Sequence, residues 1–122
     1  MTDGTERNTP PTAAWNDGEL DARRIASGQS YLEFLRVPDL SAGLYVLEAG
    51  ASDRQLPHTE DEIYVVLSGR GGLRMGDDDV PIGPGSIAFV AATVDHRFHD
   101  IEERLTVLVV FGPAEHSRDG GG

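Results

Sequence analysis

Cysteine is absent from this sequence, and so is lysine: the 10 basic residues are all arginine, set against 21 acidic ones. Without cysteine there are no disulfides, no thiolate catalysis and no cysteine-ligated zinc or iron–sulfur centre, so any metal must sit on nitrogen and oxygen donors. Without lysine there is no Schiff-base chemistry. Positive charge is scarce overall, and a net charge of -11 repels phosphate backbones and anionic membranes, so neither nucleic acid nor a membrane is an expected partner. Long apolar runs are missing too. None approaches the roughly 20 residues that cross a bilayer, and the opening MTDGTERNTPPTAAW has no apolar core for a signal peptide, so a cytoplasmic location is expected.

What is present fits one domain of 122 residues. Residues 1–28 read as a flexible tail and lead-in, in which Trp15 is a lone aromatic anchor and GELDARRIASG forms one short helical turn or an irregular segment. From Tyr31 the apolar period becomes two. YLEFLRV, GLYVLEAG and EIYVVL read as strands, with a turn or bulge over Ser68–Gly71. GLRM and VPIG flank the acidic turn GDDD, and SIAFVA, HRFHDI and LTVLVVFG follow, with turns at AATVD and IEER. Residues 29–113 thus make the domain and 114–122 a loose polar tail. Eight or so short strands with almost no helix predict an all-β fold, an antiparallel double-sheet jelly roll or small barrel.

Two stretches carry the chemistry. HTEDEIYVVLSG, from His58 to Gly69, sets a histidine and three carboxylates ahead of a β-branched run. GSIAFVAATVDHRFHD, from Gly85 to Asp100, enters a second strand through His96. Alternation puts Glu62, Tyr64 and Val66 on one face, and His96, Phe98 and Asp100 on one face of the later strand. Two histidines and a carboxylate converging from neighbouring strands would hold one divalent ion (iron, manganese, zinc, nickel, cobalt or copper) and leave positions open for substrate. Glu62 has a competing explanation, since Arg74 or Arg36 could neutralise it without any metal. His99, on the other face, reads as a surface or dimer-contact residue, and Asp77–Asp79 as a solvated turn without calcium-loop spacing. Tyr64 and Tyr45 could offer a hydroxyl to a substrate or act as an acid.

These stretches resemble the two motifs of the cupins, G-x5-H-x-H-x3-4-E-x6-G and G-x5-P-x-G-x2-H-x3-N. His58, Glu62 and Gly69 match the second histidine, glutamate and glycine of the first motif, and Gly85, His96 and Asp100 the glycine, histidine and asparagine positions of the second. The resemblance covers roughly Tyr31 to Gly112 and implies a small single-domain cupin of type-2 character. Two departures stand out. Leu56 occupies the first histidine's place, leaving His58, Glu62 and His96 as the ligand set with Gln55 and Glu60 as candidate substitutes, and Ala91 and Thr93 replace the second motif's proline and glycine.

By resemblance, the expected function is that of a metal-dependent enzyme, a dioxygenase, isomerase or lyase acting on a small organic molecule. A non-catalytic ligand-binding or sensing module is the alternative, and a structural cupin with an empty site is a third. A homodimer is implied as well, paired through sheet edges or an exchanged N-terminal strand, with YLEFLRV as the segment involved.

Overall fold

The computed structural model describes residues 11–53 and 57–117. One helix and six strands follow in order: α1 (Asp17–Ser27), β1 (Tyr31–Val37), β2 (Leu40–Leu47), β3 (Asp61–Met75), β4 (Asp78–Ile82), β5 (Ile87–Val90) and β6 (His96–Gly112). All pairings are antiparallel. The sheet runs β1-β2-β6-β3-β4, with β5 added on β3. This is the expected all-β jelly roll, although its single six-stranded sheet does not close into a full barrel.

Strands are fewer and longer than the turn signals suggest, because β3 and β6 run through both halves of the fold. The segment IEER continues β6 instead of turning, and Ser68–Gly71 is a bulged stretch inside β3, with register shifts between Val66 and Gly72. Gly69 is what permits the bend. Its φ is 92°, and a Cβ there would stand 2.1 Å from the Arg104 carbonyl oxygen. On the inward side, Tyr64, Val66, Leu73, Phe98, Leu105, Val107 and Phe111 form the main core.

The lead-in is also more ordered than its sequence pattern suggests. The α1 helix has 11 residues, about three turns. The Asn16 side chain caps its first turn by accepting from the Gly18 N–H at 2.9 Å, and Gly28 closes it in the left-handed region at φ 75°. Leu20 anchors it to the outer side of β2 against Leu44 and Val46, and burying a leucine contributes about 2 kcal/mol. Trp15 packs edge-on against Phe34 with ring centroids 4.8 Å apart, so it does tie the lead-in to β1.

The acidic hairpin has a partner. His99 is held between Asp79, 2.6 Å from Nε2, and Asp100, 2.9 Å from Nδ1. These two carboxylates raise its pKa, Asp79 foremost. A raised folded pKa means that the stabilisation is fully present below the ordinary histidine pKa near 6.5 and is lost as pH climbs through the folded value. We therefore expect wild-type stability to fall by about 0.5 kcal/mol across that window, and His99→Gln to flatten the fall. Urea midpoints measured from pH 5.5 to 8.5 would show this, and identical pH slopes for the two proteins would rule it out.

Candidate metal centre

Glu62 is the second residue of β3 and His96 the first of β6, and both point inward at 2% and 3% exposure. His58 lies on the connection before β3. That connection is latched to the β5–β6 turn by the Thr93 N–H donating to the His58 carbonyl at 2.6 Å and the Ala92 N–H donating to Asp61 Oδ1 at 2.8 Å. Thr93 takes a φ of 69°, so the turn keeps a left-handed residue at the position where the cupin motif has glycine.

The result is a convergent triad. One ligand atom each from His58, Glu62 and His96 lies within 4.8 Å of the others. Small rotamer adjustments would close that spread onto an ion about 2.1 Å from each donor. His96 Nδ1 sits 2.8 Å from the Val94 carbonyl, which fixes the ring as an Nδ1–H donor and turns Nε2 toward Glu62. Nε2 lies 2.9 Å from Glu62 Oε1, and Glu62 Oε2 is buried without a hydrogen-bond partner among the described residues. An imidazole nitrogen facing a carboxylate at 2.9 Å, each side chain 1% exposed, is an arrangement that either a proton or a metal cation can bridge, and a carbonyl behind the distal nitrogen is the usual support of a ligating histidine. The donor set therefore fits a divalent metal. Neither arginine proposed as a counter-ion fills that place: Arg36 bonds Glu33 and the Glu115 carbonyl, and Arg74 is exposed.

Electrostatics divide the two imidazoles. Burial lowers the His58 pKa, with the neighbouring His96 and His116 rings adding to the effect and Glu62 opposing it. His58 is thus held neutral, the form that ligates. Burial also pulls His96 down, but the Glu62 carboxylate and the Val94 carbonyl outweigh it and the net shift is upward.

Of the other candidates, Glu60 is 1% exposed but stands outside the triad. Its carboxylate accepts from the Thr59 hydroxyl and from the His116 N–H at 2.9 Å. Gln55 and Leu56 lie outside the described residues. Tyr64 is 1% exposed with its ring 5.9 Å from that of His96. Next to the triad is a cavity of about 550 Å³, lined by Tyr31, Tyr45, Tyr64, His58 and Glu115 among others.

Two contributors have no local sequence signal. The segment read as a loose tail instead folds back over residues 113–117, with Ala114 2% exposed and the Glu115 carboxylate 3.5 Å from His58 Nδ1. Burial raises the Glu115 pKa, and Glu33, Glu62 and Glu60 add to the rise against His116. Asp53 lies between β2 and β3. It is 6% exposed, accepting from the Tyr45 hydroxyl at 2.8 Å and from the Phe98 N–H at 2.9 Å.

Comparisons with known proteins bear on the family and the fold. The model of the Cupin domain family matches residues 43–111. Uncharacterized protein SCO3923 of Streptomyces coelicolor is 48% identical over 97 residues, covering 80% of this chain and 92% of that protein. Among solved structures, TT1209 from Thermus thermophilus superposes with a TM-score of 0.60 at 22% identity, covering 70% of this chain and 85% of that one. KdgF from Halomonas gives 0.63 at 21%, covering 68% and 76%. The DMSP lyase DddQ from Ruegeria pomeroyi gives 0.61 at 20%, covering 70% and 48%.

Proposed function

This chain belongs to the cupin family, and from that premise we propose that it holds one divalent metal through His58, Glu62 and His96 and acts on a small organic molecule in the adjoining cavity. The observation that carries this reading is the convergence of a neutral His58 on the buried Glu62–His96 pair, with Nδ1 of His96 already committed to Val94 and Glu62 Oε2 without a hydrogen-bond partner among the described residues. A buried ionisable pair carries a desolvation cost, for which a metal-binding role gives a reason. When bound, the ion would supply Lewis acidity or, if iron, dioxygen chemistry, as in a dioxygenase, isomerase or lyase. The protein's own part is to exclude water with Phe111 and Tyr64, to keep His58 neutral, and to present the Tyr64 hydroxyl as an acid toward the ligand. That structures titled KdgF and DMSP lyase share this fold supports small-molecule chemistry of this general kind.

A second reading, a non-catalytic binding or sensing module, draws on Leu56, which leaves three ligands where the family motif has four. We further propose a homodimer and a cytoplasmic location; no helix of the described residues is long and apolar enough to cross a membrane. The dimer is supported by outward pairs on β3 and β5, Ile63 beside Phe89 and Val65 beside Ile87. Phe89 and Ile87 are 61% and 74% exposed, an apolar face better suited to a second copy than to water. One preparation tests both proposals. Elemental analysis is expected to find one divalent metal per chain, and light scattering twice the chain mass; a metal-free protein after growth in metal-supplemented medium would remove the first proposal, and a monomeric mass the second.

A further inference from the structure

The cavity beside the triad has a recognition chemistry of its own. Tyr31, Tyr45, Tyr64 and Phe111 supply aromatic walls, and Tyr31 and Tyr45 stand at 72° with centroids 6.2 Å apart, forming a corner. The Tyr31 ring has this place because residue 43 is glycine: a Cβ there would lie 2.2 Å from the ring. The Tyr31 hydroxyl is buried without a hydrogen-bond partner among the described residues, so its ring is set there without their help at its polar end.

Glu115 adds a charge to this aromatic wall. Its backbone is fixed at both ends, the N–H donating to Ser41 Oγ at 2.8 Å and the carbonyl accepting from Arg36 at 2.7 Å. The side chain, 13% exposed, is held less tightly. Oε2 is 3.5 Å from His58 and 3.4 Å from His116, both longer than a hydrogen bond, and neither carboxylate oxygen receives a hydrogen bond among the described residues. A carboxylate carried on a fixed backbone, with acceptor capacity left over and aromatic rings around it, is suited to a cation: the carboxylate offers charge and an aromatic ring can offer the negative quadrupole of its face. Glu33, Glu60 and Glu62 all lie close enough to act on Glu115, so a divalent ion on the triad does not exhaust the negative charge around the cavity and leaves no positive surplus to attract an anion.

We propose that this cavity selects a small organic cation, an ammonium-bearing molecule held by Glu115 against the ring of Tyr31, and disfavours organic anions. The proposal rests on the metal-cavity reading above and names its substrate class.

Three probes of nearly one shape test it: 3,3-dimethylbutylamine, 3,3-dimethylbutan-1-ol and 3,3-dimethylbutanoate, cationic, neutral and anionic at pH 7. Calorimetric titration of the zinc-loaded and the chelator-treated full chain is expected to show the amine binding at least about tenfold more tightly than the carboxylate. Glu115→Gln should shrink that ratio to about threefold or less. Tyr31→Leu should weaken the amine about fivefold. Equal binding of amine and carboxylate, a ratio untouched by Glu115→Gln, or no saturable amine binding up to about 10 mM would each overturn the proposal. Zinc analysis of the same samples separates the two readings. One zinc per chain without charge preference removes this inference alone, and charge preference without zinc uptake removes the metal centre alone.

Discussion

His96→Ala is expected to weaken divalent metal binding roughly a thousandfold or more, because it deletes one of only three ligands, whereas losing a supporting partner typically costs 10- to 100-fold. The fold should survive, with a cost. Glu62 faces His96 at 2.9 Å with both side chains 1% exposed, so alanine strands a buried carboxylate, and the metal-free variant should lose about 3 kcal/mol. Stability loss alone would not separate a metal site from a structural ion pair, but the double replacement Glu62→Leu with His96→Leu does. A buried charged pair exchanged for apolar side chains is often neutral or stabilising by about 1–4 kcal/mol. If the pair exists to hold a cation, the double variant in chelator should therefore unfold at the same or higher urea concentration than the metal-free wild type, while taking up no zinc. Zinc titration and urea denaturation of the three proteins decide it. Undiminished zinc affinity in His96→Ala would defeat the proposed ligand set, and a double variant several kcal/mol less stable than metal-free wild type would make the pair structural.

That Glu62 and His96 come together could be read from the sequence because it depends on short-range rules. Glu62 faces inward with Tyr64 and Val66 by strand alternation, and His96 opens the strand that places Phe98 in the core. What escaped was set by partners far along the chain. The segment IEER has the composition of a turn, but Arg70 pairs with Glu103 and Gly72 with His99 across the β3 bulges, and that pairing carries β6 straight through. The α1 helix lacks a strong apolar stripe, and a single capping asparagine with one buried leucine is enough to hold it against β2. Glu115 follows Pro113 in a polar stretch indistinguishable from a loose terminus. Only contacts 74 to 79 residues away, to Ser41 and Arg36, turn it into part of the cavity wall. Its place was a tertiary fact, and no periodicity reports it.

Asp53 illustrates the same limit and carries the second large effect. It joins three separated segments: the connection leading to His58, Tyr45 on β2 and the Phe98 amide on β6, two residues after a candidate ligand. Both bonds are made to a carboxylate only 6% exposed, so removing it leaves a buried backbone N–H and a tyrosine hydroxyl unsatisfied together. Asp53→Ala is expected to cost about 3 kcal/mol in urea unfolding, and, by freeing the connection that carries His58, to weaken zinc binding about 10- to 100-fold although Asp53 is not itself in the triad. The loss should divide unevenly. Tyr45→Phe removes one donor and should cost only about 1 kcal/mol with little effect on zinc, since the bond to Phe98 remains. Asp53→Asn keeps one acceptor oxygen for two donors and should fall between. If Asp53→Ala loses stability but binds zinc as wild type does, the connection is positioned by its latch to Thr93 and Ala92 alone, and Asp53 serves the core without serving the metal centre.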